Sequence, residues 1–462
     1  MNKKVTRKTY LAILAAALLS FTGILNETSM NVTYPQLSKD LQTPLATIQW
    51  ITTGYLLMVT IVMATTAYLL KRFDAKKIYI FAASAFFIGI ILCATAVNFP
   101  MLLIGRLIQA MATGLSTPIM YQIIFTKIPR NKIATMTGVA SMVISLAPAI
   151  GPTYGGIIAS FASWRLIFWL LLPLIIISFC LGYFNIDLKA TGTKQKIDLT
   201  SLIFLAITLT SIVFAISQVN LRGFNNPNFY VPIIIAAIAF GIFVWTDLHG
   251  KNQLLEIRIF RQSDIRLSAF NYFSLQCVNI GISFLLPVYS QYVLKISPFT
   301  AGLMLLPGSI VGAIVSPLSG KFADNHGYAK PIITGNIIMT CSLLLFFFMQ
   351  HQLSAFWIMV LYSVLRLGFN LAFSNTISDA SNLVPDNNKS DVNSIFNMLQ
   401  QYAGSIGVGS LAAMLAYYQN NGLGTFIKKT FAGGHLAFIC LTILAILATI
   451  ASIVNFRRQK QN

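Results

Sequence analysis

Charge is what this chain has least of. Only 10% of its 462 residues are Asp, Glu, Lys or Arg, against roughly 25% in a soluble domain of average make-up. Polar surface is too scarce to coat a water-soluble globule. Acid is scarcer still, with twelve Asp and Glu against thirty-two Lys and Arg. Cysteine is sparse and dispersed: Cys93, Cys180, Cys277, Cys341 and Cys440 stand singly in apolar stretches, with neither metal-site nor disulfide spacing. His249, His326, His351 and His435 fall in or near expected loops and suggest no metal site. No G-x-x-x-x-G-K-[S/T] occurs, so there is no P-loop and no sign of ATP as a driver. No hydrophilic segment is long enough for a soluble domain, and no cluster of His, Asp and Cys marks a reaction centre. An enzyme or receptor is disfavoured, and no cofactor is expected.

Apolar residues, by contrast, make up 56% of the chain, with a mean hydropathy of +0.73. Stretches of about 20 apolar residues, enough to cross a hydrocarbon core of ~30 Å, recur throughout. They predict spans at 10–35, 46–70, 78–97, 99–126, 134–160, 166–186, 199–219, 229–247, 267–293, 300–322, 330–350, 354–378, 392–418 and 434–456. The basic head and apolar body of "MNKKVTRKTYLAILAAALLS" resemble a signal peptide, but no small-residue cleavage site follows, so a retained first span is expected.

The net charge of +20 does not point to nucleic acid, because Lys and Arg sit in short clusters between spans and form no stripe with interleaved aromatics. With the N-terminus inside, twenty-four of them fall on cytoplasmic segments. The external segments hold five, Lys39, Arg222, Lys295, Lys428 and Lys429. The basic excess of cytoplasmic loops therefore predicts a multi-pass protein of the cell (cytoplasmic) membrane with both termini cytoplasmic. Trp50, Trp164, Trp245 and Trp357 fall near span ends, where an interfacial aromatic belt is expected.

The chain also repeats itself. "AYLLKRFDAKK" (67–77) after the second span is echoed by "GKFADNHGYAK" (320–330) after the tenth, and "IGRLIQAM" (104–111) by "VLRLGFNL" (364–371). Two related six-helix bundles, 1–190 and 263–462, are expected, with a central two-helix insertion at 191–262. Paired bundles with a site between them near the midplane are the architecture of alternating-access transporters.

By these boundaries Glu27 is the one acid deep in a span. The other eleven, Asp247, Asp379 and Asp386 among them, fall in loops or at ends. A charge in hydrocarbon costs at least ~2.5–3.5 kcal/mol and marks a functional candidate, although a carboxylate tying helix 1 to a neighbour is the plainer reading. Arg106 is its natural partner. Glu27 lies ~12 Å and Arg106 ~9 Å from the same membrane face at 1.5 Å per residue. Gln109, three residues on, shares the face of Arg106. Asn26, Asn31, Gln109, Asn271, Gln276, Asn279, Asn370 and Asn397 are candidate cavity-lining residues, though amides also serve as ordinary interhelical bonders. Gly151, Pro152, Gly155 and Gly156 allow close helix approach and kink their span.

Seven segments carry a resemblance: "LNETSMNVTYPQL" (25–37), "WITTGYLL" (50–57), "GRLIQAMATG" (105–114), "APAIGPTYGG" (147–156), "SWRLIFW" (163–169), "PVYSQYVLKISPFTAGLMLLPG" (287–308) and "NMLQQYAGSIGVG" (397–409). In this order and on these spans they resemble the fourteen-helix drug:proton antiporters of the major facilitator superfamily. The nearest branch includes the lincomycin-type exporters. The resemblance covers nearly the whole chain and implies an all-α fold of fourteen spans. It implies proton-driven export of amphipathic, cationic or zwitterionic drugs, a proton-coupling role for Glu27 and Arg106, and an antiport role for the Gly151–Gly156 stretch. It also implies that the cytoplasmic turns gate, through Asp74 in the first and Gly320, Asp324 and Gly327 in the second. The first turn departs from the family, with Ala67 and Lys71 where Gly and Asp are usual. Export of a lipid, peptide or metabolite is the alternative cargo. A monomer is expected.

Overall fold

The computed structural model of the chain describes residues 6–190, 198–222, 227–250, 253–385 and 388–459. Lys3, Lys4, Lys194, Lys196, Lys251 and Lys460, counted above among the cytoplasmic basic residues, lie outside the described residues, as does Asp386. Among the described residues the regular structure is helical. The long helices are α1 (Arg7–Met30), α2 (Trp50–Arg72), α3 (Ala75–Ala94), α4 (Phe99–Lys127), α5 (Arg130–Phe161), α6 (Arg165–Asn185) and α7 (Leu199–Arg222). They continue as α8 (Pro227–His249), α9 (Ser263–Tyr292), α10 (Leu306–His326), α11 (Ala329–Phe348), α12 (Ala355–Asn382), α13 (Lys389–Asn421) and α14 (Phe426–Gln459). Among the described residues, twelve helical stretches are long and apolar enough to cross a membrane. The chain is a multi-pass, all-helical membrane protein. α5 and α13, of 32 and 33 residues, fall outside that set.

Local chemistry fixes many of the ends. Thr6, Asn98 and Ser354 accept hydrogen bonds from the backbone of Thr9, Met101 and Trp357 and so cap α1, α4 and α12. Gly327, at φ 77°, ends α10 in the left-handed region that a residue with a Cβ avoids.

Packing follows the repeat. α1 packs on α4, α5 and α6, and α9 packs in the same way on α12, α13 and α14. α3 lies against α4 and α6, and α11 against α12 and α14. Lipid supplies no hydrophobic drive between helices, so close approach rests on small residues. A Cβ on Gly89 would crowd the Gly105 carbonyl between α3 and α4, and one on Gly335 would crowd the Gly368 carbonyl between α11 and α12. The two sets of helices meet where α2 packs on α13 and α5 on α10. α7 and α8 pack on each other, and α7 also on α13 and α2. Only 22% of the apolar window of α8 is buried, against 78% for α9.

Three expectations are corrected. The first helix stops at Met30, not near Pro35; a turn and the short helix Tyr34–Asp40 follow, with Pro35 in its first turn. Asn31, Val32, Thr33 and Tyr34 are nonetheless buried. Trp164 is fully buried rather than interfacial, packed edge-on against Phe168 and under the Arg165 guanidinium, 4.3 Å from its ring. Glu27 is not alone as a buried acid in a helix, since Asp247 and Asp379 are buried as well. α12 runs on to Asn382 and takes Asp379 into helix, while Asp247 stays near the end of α8 as expected.

Candidate functional site

Glu27 sits three residues before the end of α1 and is only 6% exposed. Among the described residues its carboxylate has no hydrogen bond and no ion pair within 4.0 Å. Arg106 of α4 is fully buried and is the basic group whose charge acts on Glu27. Its guanidinium is tied elsewhere. Nε donates to the Ile51 carbonyl of α2 at 3.2 Å, and Nη1 to Gln109 Oε1 at 3.0 Å. The group lies 4.1 Å over the ring of Tyr55, a cation–π contact that counts for more where water is excluded. The Tyr55 hydroxyl in turn reaches the Gly23 carbonyl at 3.2 Å and the Thr113 hydroxyl at 2.6 Å.

Gln109 joins α1 to α4, because its Oε1 also accepts from Asn26 Nδ2 at 2.9 Å. Three buried polar atoms here have no hydrogen-bond partner among the described residues: Asn26 Oδ1, Gln109 Nε2 and Arg106 Nη2. A polar cluster left part-satisfied in a low-dielectric interior is a high-energy arrangement. It surrounds the neighbour of a carboxylate with no hydrogen bond.

The glycine-rich stretch of α5 touches this site directly. A Cβ on Gly151 would overlap the Thr28 side chain, and one on Gly155 the Ser29 carbonyl, both within two residues of Glu27. The opposite side of the same stretch meets the second set of helices, where Gly156 abuts the Pro298 carbonyl and Gly302 the Pro152 carbonyl. At this face, where α1 ends, Gln291 Nε2 donates to the Val32 carbonyl at 2.9 Å, and the Phe299 amide to Ser160 Oγ at 2.9 Å. The Tyr34 and Phe284 rings meet edge-on at 5.2 Å. α1, α5 and the short helix Pro298–Leu303 therefore form one contiguous contact, with Glu27 beside it.

The other expected residues divide into groups. Gln276, Asn279 and Asn370 gather at Arg366, the repeat counterpart of Arg106. Arg366 Nη1 donates to Asn279 Oδ1, Asn279 Nδ2 to Gln276 Oε1 at 3.2 Å, and Asn370 Nδ2 to the Arg366 carbonyl at 2.8 Å. Asn31 accepts from the Tyr34 hydroxyl at 3.4 Å. Asn271 is not with them. It lies inside the second bundle, donating to Thr376 Oγ1 at 3.1 Å and accepting from Asn336 Nδ2 at 3.0 Å. Asn397 is exposed on α13. Asp74 accepts from the Ala190 amide at 3.0 Å and lies 3.9 Å from Lys77. Asp324 is exposed and neither caps α11 nor forms an ion pair among the described residues. A Cβ on Gly320 or Gly327 would meet nothing within 4 Å. Tyr55 and Ile51 lie within "WITTGYLL", yet nothing in that segment announces a ring stacked on Arg106 or a carbonyl accepting from it.

Long apolar helices packed in matching sets, with charged side chains buried where they meet, define a membrane transport protein. Residues 16–408 match the Major Facilitator Superfamily, and the chain belongs to that family; it is a membrane transporter and not an enzyme. It is 32% identical over 450 residues to the lincomycin resistance protein LmrB of Listeria innocua, covering 96% of each chain. It is 24% identical over 426 residues to the multidrug resistance protein Stp of Mycobacterium tuberculosis, covering 92% of this chain and 79% of that one. Among solved structures, a POT family transporter in complex with a thioalcohol-conjugated peptide superposes with a TM-score of 0.73 over 98% of this chain and 96% of that one. At 15% identity that likeness concerns the fold alone.

Proposed function

We propose that this transporter is a proton-coupled exporter of amphipathic drugs or toxic small molecules, with cationic or zwitterionic compounds favoured. The observation that carries the reading is the Glu27 carboxylate, buried and, among the described residues, without a hydrogen bond, beside the Arg106–Gln109–Asn26 cluster. Glu27 takes a proton when the cavity faces outside and releases it when the cavity faces inside. An ionised Glu27 attracts a cationic substrate entering from the cytoplasm, and its protonation weakens that attraction and helps release. Arg106 supplies the counter-charge, and Asn26 and Gln109 hold the two helices in register. The contact of α5 with both Thr28–Ser29 and Pro298–Leu303 ties the state of Glu27 to closure between the bundles. Asn31, Gln276, Asn279, Asn370 and Asn397 are cavity-lining candidates, whereas Asn271 is held in a bundle-internal network.

The reading includes fourteen spans, with α5 and α13 crossing as well, and both termini cytoplasmic, supported by the basic asymmetry of the loops. It divides the chain into bundles 1–190 and 263–462 and a central insertion at 191–262. Relatives named for lincomycin and multidrug resistance support drugs over other cargo. Dye efflux from everted or intact vesicles tests it. Wild-type efflux collapses with an uncoupler, Glu27→Gln abolishes the proton-driven part, and Glu27→Asp keeps some. Normal uncoupler-sensitive accumulation by Glu27→Gln would leave Glu27 a structural residue.

A further inference from the structure

A crevice of ≈ 920 Å³ opens between the α7–α8 pair and the second bundle, lined by residues other than Glu27 and Arg106. Its walls are apolar, formed by Leu205 and Leu209 of α7, Ala237 and Phe243 of α8, and Met398 and Tyr402 of α13. The lining of α7 begins six residues from the start of that helix, and the lining of α8 runs from Leu248 back to Ile233. At 1.5 Å per residue the α8 wall is ~22 Å long, which exceeds one leaflet of a ~30 Å hydrocarbon core. The mouth is formed by the turn Ile257–Arg261 and the first turn of α9, which bring Arg258, Arg261 and Arg266 to its rim.

These arginines are exposed, and among the described residues none forms an ion pair. Arg266 serves the local fold, donating to the Phe260 and Arg261 carbonyls at 2.9 and 3.2 Å and to Ser263 Oγ at 2.8 Å. Arg258 makes one long bond, 3.4 Å to the Leu248 carbonyl. Arg261 makes no side-chain hydrogen bond among the described residues. The neighbouring acid Asp247 accepts from the Leu254 and Leu255 amides at 2.8 and 3.3 Å through Oδ1, its Oδ2 being buried, and among the described residues neither it nor Glu256 nor Asp264 pairs with any of the three arginines.

An apolar slot of acyl-chain depth with uncommitted guanidiniums at its rim is complementary to an anionic amphiphile. The geometry points to a site for one anionic phospholipid: an acyl chain lies between α8 and α13, and the headgroup phosphate is held by Arg258 and Arg261. Guanidinium matches phosphate through paired N–H donors, and basic sites between membrane helices select anionic headgroups. The lipid comes from the leaflet on the side where α8 ends and α9 begins, the cytoplasmic one under the orientation proposed above. Such a chain fills the space that the weakly buried α8 leaves open and attaches the central helix pair to the second bundle.

Lipid retention by the full-length protein in detergent, read by native mass spectrometry after adding phosphatidylglycerol or phosphatidylcholine, tests this without any transport assay. It therefore fails or succeeds independently of the export reading. Wild type retains phosphatidylglycerol in preference to phosphatidylcholine. Arg258→Gln and Arg261→Gln each weaken that retention about fivefold, the worth of one basic residue at an anionic surface. Ala237→Trp, at an exposed position of the wall, blocks the slot and abolishes retention with all three arginines intact. Equal retention of the two lipids, indifference to the arginines, or displacement of phosphatidylglycerol by equimolar inorganic phosphate would overturn the assignment. Indifference to Ala237→Trp would place the lipid elsewhere, as would displacement by an exported dye.

Discussion

Gln109 is where the chemistry of the site converges, since one oxygen accepts from both Asn26 and Arg106. Gln109→Leu keeps the volume and leaves a buried guanidinium N–H and an amide N–H unpaired. A hydrogen bond to a charged group is worth ~1.5–3 kcal/mol, so the variant unfolds at a clearly lower temperature than wild type by intrinsic-fluorescence melting. Gln109→Glu keeps an acceptor for both donors and melts close to wild type. It also neutralises Arg106 and so shifts the pH dependence of efflux, which a purely structural residue would not do. Arg106→Lys is expected to fail where charge alone would succeed. An ammonium cannot serve the Ile51 carbonyl and Gln109 while presenting a flat face to Tyr55. Efflux by Arg106→Lys therefore falls close to that of Arg106→Gln; a lysine variant with wild-type efflux would reduce Arg106 to a point charge.

At the scale of elements, two glycine-bearing helices behave oppositely. Gly155 on α5 is pressed against the Ser29 carbonyl, whereas Gly320 on α10 has open space around it. Overpacking costs ~1–3 kcal/mol, so Gly155→Ala pushes α5 off α1 and loosens the face where the bundles meet. The measurement is disulfide formation between cysteines placed at Ser160 and Phe299, whose amide-to-hydroxyl bond is 2.9 Å long. Crosslinking falls in Gly155→Ala. It is unchanged in Gly320→Ala, whose added methyl meets nothing and raises helix propensity by up to ~1 kcal/mol. Sequence put Gly155 within a span but read Gly320 as the start of a cytoplasmic turn, whereas α10 runs on to His326 and takes it into helix. It could not rank them, because crowding depends on the neighbour across the interface and not on the motif.

The molecule as a whole turns on a duplication read first from two turns and two arginines, and then met again in matching helix contacts and matching glycine approaches. Cysteine labelling is expected to place positions 71 and 295 on opposite sides of the membrane; the same side for both would break the fourteen-span arrangement. On the proposed division, in which the duplication is complete without α7 and α8, Ile238→Ala, at a position 60% exposed on α8, leaves efflux near wild type. Loss of efflux there, with the protein still folded, would give the central pair a direct part in transport.

The sequence by itself determined that the chain lives in a membrane, that its spans repeat, and that Glu27 and Arg106 are charges carried on helices. These follow from composition, from the 1.5 Å rise of a helix and from the cost of charge in hydrocarbon, all of which are local. What it left open was which polar groups touch. Arg106 bonds to a backbone carbonyl and an amide rather than to the Glu27 carboxylate, since rotation about the helix axes, set by packing across the interfaces, decides which side chains face one another. The same reason separates Asn271 from Asn279: both lie on α9, but eight residues turn one into the bundle interior and the other toward Arg366. Trp164 was misplaced because a position near a span end says nothing about whether lipid or protein lies beside it. The crevice under α8 has no counterpart in any motif, since it exists only where α7 and α8 meet both the turn that follows them and α13, more than a hundred positions further along the chain.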